Sequence, residues 1–261
     1  MNTSTSRIPR QFVCLTLLLG LFCSSVAITS AADPNTLTAE ERAAGWRLLF
    51  DGRTFAGWHL FQHTDGQHGG WKIEDGTLVC PKSNGRPNGS GGDLVTDAKF
   101  MKFEFAFEWR ISPGGNSGIH YFFDENRPPT GKPLYKGDTG KSPVGLEYQV
   151  LDDLTHPDAK RGPTHMAGAL YDMIATPEKS LKPVGQWNES RIVVRGQHLE
   201  HWLNGAKTVE CELDGPLYRE ALAKSKYNVV PDFAVKAATS FALQDHGEEV
   251  AFRSLRVREI K

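Results

Sequence analysis

One segment of the chain alternates strictly between two kinds of side chain over nine residues. Its odd-numbered positions are all aromatic or aliphatic: Phe103, Phe105, Phe107, Trp109 and Ile111. The even-numbered positions include the charged residues Glu108 and Arg110. Because successive side chains of a strand point to opposite faces, the pattern predicts a strand with one buried face and one polar face. Such a strand needs a second layer to cover its aromatic face.

Short strand-like segments and glycine-rich turns fill most of the remaining chain. Asn204-Gly205 separates two alternating segments, which is among the strongest signals for a β-hairpin. One short helix is predicted after Thr38, where a Ser/Thr-x-x-Glu pattern is typical of a helix start. A second could lie within residues 215–226. Many short strands with little helical periodicity predict an all-β jelly-roll sandwich of two antiparallel sheets.

The first 32 residues have the layout of a secretory signal peptide. Arg7 and Arg10 precede an apolar stretch from residue 12 to 28, and small residues follow up to Ala32. The apolar stretch is too short and too interrupted for a good membrane span, so we predict no stable membrane insertion. We therefore expect an exported protein, periplasmic or extracellular, in which residues 33–261 form a single domain.

The charge of the chain indicates which partners it can bind, and its cysteines indicate whether it can form a disulfide. The chain has 30 Lys and Arg against 31 Asp and Glu and no evident basic patch, so nucleic acid is not an expected partner. Two cysteines lie beyond the predicted signal peptide, Cys80 and Cys211. In an exported protein they could form a disulfide, or they could be two separate buried thiols.

Several short motifs follow one another in the order typical of a known family. They are Gly45–Gly52 with Gly57-Trp58, Asn116–Ile119, Gly145–Gln149, Gly185–Asn188, Leu203–Gly205, Leu243–Gly247 and Val250–Leu255. Over nearly all of residues 33–261 the chain resembles the 3-keto-disaccharide hydrolase domain family. The resemblance implies a concanavalin-like jelly roll. It also implies activity on disaccharides or glycosides that a partner sugar 3-dehydrogenase has oxidised at C3.

Cleavage of such a substrate defines the groups that a site must supply. A ketone at C3 makes the C2 proton acidic, so a base can remove it and the aglycone can leave from C1. Water then adds to the resulting 2-hydroxy-3-keto-glucal. The site needs a base near C2, an electrophile at the carbonyl oxygen and an acid for the leaving oxygen. One divalent metal ion would serve as the electrophile, and no organic cofactor is expected.

Three residues are expected to perform this chemistry: Glu147, His120 and His246. Glu147 is the predicted base or a metal ligand, with His120 and His246 as a metal ligand and an acid-base group. The metal set expected from the sequence is Glu147 with His120. Each has a structural alternative: Glu147 could form an ion pair with Arg110, His120 could be a satisfied sheet histidine, and His246 could belong to a turn.

Six further residues are predicted to bind the sugar: Glu108, Arg110, Asn116, Gln149, Trp187 and Gln244. Gln149 shares its parity with Glu147, so both leave one face of a strand. Arg110 could hold sugar hydroxyls or the enolate oxygen, and Trp187 could stack on a sugar ring. A solvated sheet face and buried packing are the alternatives for these two residues.

Three other functions are compatible with the same sequence. A non-catalytic carbohydrate-binding protein of the lectin type would need only aromatic and amide side chains. An endo-glycosidase would need paired carboxylates, but Gln149 stands where the second one is expected beside Glu147. A structural envelope protein with a vestigial site is the third. Turnover of a 3-keto-glycoside separates the enzyme from the lectin.

Overall fold

A computed structural model describes residues 1–2, 33–63, 65–83, 89–127, 133, 140, 142–176, 180–234 and 237–261. A compact unit spans Ala32–Lys261. Residues 3–32, which hold nearly all of the predicted signal peptide, lie outside the described residues. Within those ranges, no helix combines the length and the apolar character that a membrane crossing requires.

Short strands make up most of the regular structure in the described part of the chain. They are β1 (Arg47–Leu48), β2 (Trp58–Leu60), β3 (Lys72–Glu74), β4 (Thr77–Cys80), β5 (Leu94–Thr96), β6 (Phe103–Ile111), β7 (Asn116–Tyr121), β8 (Leu146–Leu151), β9 (Asn188–Arg195), β10 (His198–Leu203), β11 (Ala206–Glu212), β12 (Ala242–Leu243) and β13 (Val250–Glu259). The helices are α1 (Ala39–Ala43), α2 (Pro216–Lys224) and 3-10 turns over Pro157–Arg161, Pro163–His165 and Lys226–Val229.

The strands form two antiparallel sheets, as predicted. The larger sheet has the order β11-β10-β9-β6-β13-β4-β3, with β1 paired to β13, and the smaller has the order β2-β5-β12-β7-β8. Neighbours in these orders are often distant in sequence, which is the strand exchange of a jelly roll rather than a simple meander.

The aromatic face of β6 packs against the smaller sheet and forms the core. Phe105 stacks on Phe241 with ring centroids 4.3 Å apart, and Phe107 meets Tyr148 edge-on at 5.4 Å. All four rings are fully buried. Burial of one such side chain stabilises a fold by about 1.5–3 kcal/mol, so this layer fixes how the two sheets face each other.

Turn predictions are largely confirmed. Asn204 and Gly205 both have positive φ, 48° and 83°, as a two-residue hairpin turn between β10 and β11 requires. Thr38 caps α1 through a complete capping box. Residues 168–174 also have the sequence character of a strand, but no strand forms there: Leu170 makes only isolated bridges, with Tyr148 and Ile174.

The two cysteines are separate buried thiols, so the disulfide alternative is wrong. Cys80 lies on β4 and donates to Oδ1 of Asp245 at 3.4 Å. Cys211 lies on β11, at the far end of the larger sheet from β4. Their places in the sheet explain why they do not pair.

Candidate active site

Buried polar side chains are concentrated on the outer face of the smaller sheet. Ile119 and Tyr148 point into the core, so their neighbours His120, Glu147 and Gln149 point the other way. These outward-facing side chains are nevertheless only 3%, 4% and 1% exposed. The outer face is therefore a covered polar surface rather than a solvated one.

Strand register brings the main predicted residues together. His120 lies directly opposite Glu147 in the β7–β8 pair, and Gly118 lies opposite Gln149. The Glu147 carboxylate extends over Gly118: a Cβ added there would be 2.5 Å from Oε1. Because Gly118 has no side chain, the Glu147 carboxylate can occupy the space above the neighbouring strand.

Gln244 joins the same group from the end of β12. Its backbone N–H donates to the Gly118 carbonyl at 2.9 Å, and its Nε2 lies 3.1 Å from Nε2 of His120. The amide also hydrogen-bonds to the Glu147 carboxylate. Because an amide NH₂ has two hydrogens, Gln244 can donate to both neighbours at once and hold their relative position.

Burial raises the pKa of Glu147 to about 7. The Lys226 ammonium, His246 and the Gln244 hydrogen bond lower that pKa, but burial outweighs them, and the charge of Asp158 raises it further. A carboxylate with a pKa near neutrality takes up a proton far more readily than an ordinary glutamate. This environment is suited to a general base.

His120 stays neutral near physiological pH. Burial, reinforced by the Lys226 ammonium, lowers its pKa to about 3. When Nε2 accepts from Gln244, the ring proton is on Nδ1. His120 therefore offers an N–H donor rather than a transferable second proton.

Several buried polar atoms at this face have no hydrogen-bond partner among the described residues. They are Nδ1 of His120, Oε1 of Gln149, Oε1 of Gln244 and Oδ2 of Asp93. An unpaired buried polar group is unfavourable by about 1–3 kcal/mol, so such atoms are rare and cluster where a ligand supplies partners. Donors and acceptors of this kind match sugar hydroxyl and carbonyl groups.

A group that could hold a metal ion adjoins this surface. Ligand atoms of His156, His246 and Glu248 all lie within 4.8 Å of one another, and Nδ1 of His246 is 2.9 Å from Oε2 of Glu248. Burial and the neighbouring His246 lower the pKa of His156, which favours the neutral imidazole that a metal needs. His246 also acts electrostatically on Glu147. The predicted pair Glu147 and His120 is in neither of the two groups of three or more metal-type ligands found among the described residues.

A cation acts electrostatically on the same surface. Lys226 begins the last 3-10 turn, and its Nζ lies 4.5 Å from the ring centroid of Tyr171. Its charge lowers the pKa of both Glu147 and His120. Glu147 is therefore acted on both by the charge of Lys226 and by His246, a member of the potential metal centre.

Three predicted sugar ligands lie elsewhere. Glu108 and Arg110 are on β6 of the larger sheet, where Glu108 forms an ion pair with Arg253 at 2.7 Å. The guanidinium groups of Arg110 and Arg253 lie 4.9 Å and 4.1 Å from the Trp187 ring. The structure does not bring these residues to Glu147, and the alternative ion pair between Glu147 and Arg110 is wrong.

Asn116 and Gln149 do lie on the outer face of the smaller sheet. Nε2 of Gln149 donates to Oδ1 of Asn116 and to the His165 carbonyl, both at 3.3 Å. Asn116 thus orients Gln149, whose Oε1 has no partner among the described residues. The sequence reasoning missed Lys226 and Glu248; the His246-x-Glu248 spacing, which places both on one parity, was the available signal for Glu248.

Ionisation of Glu147 in the fold has a consequence for stability. Because its folded pKa of about 7 exceeds the ordinary value of 4.5, stability falls as pH rises through about 7. We expect Glu147→Gln to leave the free energy of unfolding unchanged at about pH 4 and to raise it by about 3 kcal/mol at about pH 8. Urea denaturation at both pH values measures this, and an equal change at both would contradict the assigned environment of Glu147.

Comparison with known proteins gives consistent matches over nearly the whole described unit. The model of a family described as a 3-keto-alpha-glucoside-1,2-lyase-like domain matches residues 45–258. A 3-keto-disaccharide hydrolase of Bacteroides thetaiotaomicron is 35% identical over 245 residues, which cover 87% of this chain and 83% of the relative.

Solved structures match the fold. A protein of Parabacteroides distasonis, provisionally named a glycosyl hydrolase, aligns with a TM-score of 0.73 and 30% identity over 87% of this chain and 100% of its own. A second protein of that organism with the same provisional name gives a TM-score of 0.60 at 22% identity, over 82% and 99% of the two chains. The second likeness supports the fold alone.

Proposed function

Because the chain belongs to the family of 3-keto-alpha-glucoside-1,2-lyase-like domains, we propose that it is a carbohydrate-cleaving enzyme whose substrates are 3-keto-glycosides and 3-keto-disaccharides. The resemblance predicted from the motifs is confirmed by this membership. The proposed reaction begins with removal of the C2 proton, continues with elimination of the aglycone from C1, and ends with addition of water.

The observation that carries this proposal is the environment of Glu147. Its carboxylate is buried, extends over Gly118 and has a pKa raised to about 7. A proton on carbon next to a ketone needs a base of raised basicity held in a fixed position, and both conditions are met here. In the proposed reaction Glu147 takes the C2 proton and later returns one to C2.

The neighbours of Glu147 supply groups that could hold and polarise an oxidised sugar. The neutral His120 has an N–H donor at Nδ1, and Gln149 and Gln244 have acceptor oxygens without partners among the described residues. In the proposed complex the donor stabilises charge that develops on the keto oxygen, and the acceptors bind hydroxyl groups. His120 acts here as a hydrogen-bond donor, in a site of low dielectric constant where such bonds are strong.

His156, His246 and Glu248 fit a divalent cation. Two imidazoles and one carboxylate are typical ligands of Zn²⁺, Mn²⁺ and Fe²⁺ and leave coordination positions open. Nδ1 of His156 accepts a hydrogen bond from the Asp158 N–H at 3.1 Å. A neutral imidazole has only one free lone pair, so His156 would give up this hydrogen bond when it binds a metal ion. When bound, the cation would polarise oxygen atoms of the substrate as a Lewis acid. His246 is thus proposed as a metal ligand, and His120 as a separate donor.

The proposed substrate requires an oxidation that these residues do not perform. A sugar 3-dehydrogenase, acting before this enzyme, would supply the ketone at C3 and is the functional partner that we propose. Export to the periplasm or the extracellular space, which the pattern of residues 1–32 predicts, would place both activities where glycosides are encountered.

Aglycone release tests the function directly. Residues 33–261 are incubated with a 3-keto-glucoside and, separately, with the unoxidised glucoside of the same aglycone. We expect release from the oxidised substrate alone, because only the ketone acidifies the C2 proton. Binding of both sugars without release would indicate the lectin function instead, and release from the unoxidised sugar would indicate an ordinary glycosidase.

A further inference from the structure

We propose that Lys226 is the general acid that protonates the leaving oxygen, an inference that rests on the proposed function of the site. As the C1–O bond breaks, the bonding electron pair stays on the glycosidic oxygen and Nζ of Lys226 gives that oxygen a proton. Glu147 holds the proton taken from C2, so no other co-reactant is required.

Backbone contacts fix Lys226 beside the strand that carries Glu147. The Lys226 N–H donates to Oδ2 of Asp172 at 2.7 Å. The N–H of Tyr171, the residue before Asp172, donates to the Glu147 carbonyl at 3.0 Å. Two successive residues thus connect Lys226 to the backbone of Glu147. The Oγ of Ser225 accepts from the Tyr227 N–H at 3.1 Å and fixes the start of the 3-10 turn.

Aromatic rings hold the ammonium group near the outer face of the smaller sheet. Nζ lies 4.5 Å from the Tyr171 ring centroid and 4.9 Å from that of Tyr227, within the range of cation–π contacts. The charge acts on Glu147 and on His120, which lie opposite each other on neighbouring strands. A substrate whose C2 is at Glu147 therefore has Lys226 close to the same pair of strands.

The electrostatic surroundings suit a proton donor. Burial lowers the pKa of Lys226, which makes the ammonium more acidic than an ordinary lysine. The charges that act on it are the carboxylates Glu147, Asp172 and Asp158 and the guanidinium of Arg161. The carboxylates keep it protonated before the reaction, and burial limits how strongly it retains the proton.

Other groups near Glu147 are poor donors for an alkoxide. His120 has a pKa of about 3 and carries no second proton. The Tyr171 hydroxyl donates to Oδ2 of Asp158 at 2.8 Å, and burial raises its pKa. Arg161 does not release protons in proteins. His156 and His246 belong to the potential metal centre, and Nε2 of His165 already lies 2.9 Å from Oδ1 of Asp172. We therefore assign the donor role in this part of the described chain to Lys226.

Hydration returns the enzyme to its starting state by the same two residues. Neutral Lys226 takes a proton from water as the hydroxyl group adds to C1 of the unsaturated sugar. The electron pair of the double bond moves toward the carbonyl. Glu147, whose carboxyl proton exchanges with the solvent once the aglycone has left, then delivers a proton to C2. Lys226 is then an ammonium again and Glu147 a carboxylate, so charge and protons balance over the cycle.

The role of Lys226 as general acid is tested by comparing kcat/KM for substrates with different leaving groups. A nitrophenol leaves without protonation, whereas a sugar or methanol needs a proton. For Lys226→Met we expect kcat/KM to fall by about 10²- to 10³-fold on methyl 3-keto-glucoside and by less than about fivefold on nitrophenyl 3-keto-glucoside. Lys226→Arg keeps the positive charge but cannot donate a proton, so it should show the same difference. Lys224→Met, on the exposed end of α2, is the matched control and should be unchanged.

Each other outcome overturns the inference. Equal loss on both substrates would mean that Lys226 acts through its charge or its packing, and full activity of Lys226→Arg on the methyl substrate would mean that charge alone suffices. If the unaltered protein releases neither aglycone, the proposed function itself fails and the inference with it. Failure of the proposed function is distinguishable from failure of the Lys226 inference, because it is seen in the unaltered protein without any variant.

Discussion

Glu147→Gln is expected to lower kcat for 3-keto-glycosides by about 10³-fold. Glutamine keeps the shape of the side chain and its place over Gly118 but cannot accept the C2 proton, and general bases contribute about 10²- to 10⁴-fold to rate. The variant should still bind substrate, so the loss should appear in kcat more than in KM. Steady-state kinetics on a 3-keto-glucoside measures both.

The matched control for this variant is Glu108→Gln. Glu108 was also predicted to belong to the site, but its carboxylate pairs with Arg253 on the larger sheet. We expect turnover within about twofold of the unaltered protein, since surface substitutions of this kind act weakly on stability and not on the site. A Glu147→Gln variant that retained normal turnover, or an equal loss in both variants, would refute the role of Glu147.

The pH dependence of the unaltered enzyme follows from the same carboxylate. A base works only when it is ionised, and burial raises the pKa of Glu147 to about 7. We therefore expect kcat/KM to rise with pH and to level off above about 7. This acidic limb should be absent from whatever residual activity Glu147→Gln retains.

Loss of the potential metal centre is expected to lower turnover almost as much as Glu147→Gln does. Treatment with EDTA, or the change His246→Ala, should lower turnover by about 10²- to 10³-fold, because a Lewis acid at the substrate oxygen contributes several kcal/mol. Added Mn²⁺ or Zn²⁺ should restore the chelated protein but not His246→Ala. The amount of metal bound, measured by elemental analysis, should fall in the variant.

A second histidine and glutamate cluster provides the matched control. His198, Glu200 and Glu210 also have ligand atoms within 4.8 Å of one another, but they lie on β10 and β11 of the larger sheet. Lys207 forms ion pairs with both glutamates there, at 3.1 Å and 2.8 Å. His198→Ala should therefore leave turnover and metal content unchanged. Full activity in EDTA, or metal lost from His198→Ala instead, would refute the assignment to His246.

The strands and hairpin turns were predictable because the sequence patterns that indicate them are local. The alternation over residues 103–111 corresponds to β6, and the strand expected to carry Glu147 and Gln149 is β8. Turn residues such as Asn204-Gly205 define where hairpins occur. The order of strands within the two sheets was not predictable from these signals, because neighbours such as β6 and β13 are far apart in the sequence.

The site was predictable in part. Parity placed Glu147 and Gln149 on one face, and the register of β7 and β8 then brought His120 to the same place. Glu108 and Arg110 had the same kind of parity signal, yet they lie on the other sheet. Alternation distinguishes core-facing from outward-facing side chains, but both sheets have an outer face, and the sequence pattern does not say which one binds a ligand.

Residues in irregular segments were the hardest to assign. Lys226 begins a short 3-10 turn after α2, where no periodicity indicates which way a side chain points. His156 caps another 3-10 turn and contacts His246, 90 residues later, at a ring-centroid distance of 5.7 Å. Such contacts depend on how connections fold back over the sheet, which is a property of the tertiary structure.

The fate of the C2 proton tests the central claim most directly. The enzyme is incubated with a 3-keto-glucoside in D₂O, and the released sugar ring is analysed by proton NMR at early times, beside an enzyme-free sample that records spontaneous exchange. Removal of that proton by Glu147 predicts a ring that has lost its original C2 hydrogen, either as the unsaturated sugar or with deuterium at C2. A released ring that retains its C2 hydrogen would show cleavage without proton abstraction and would contradict the account.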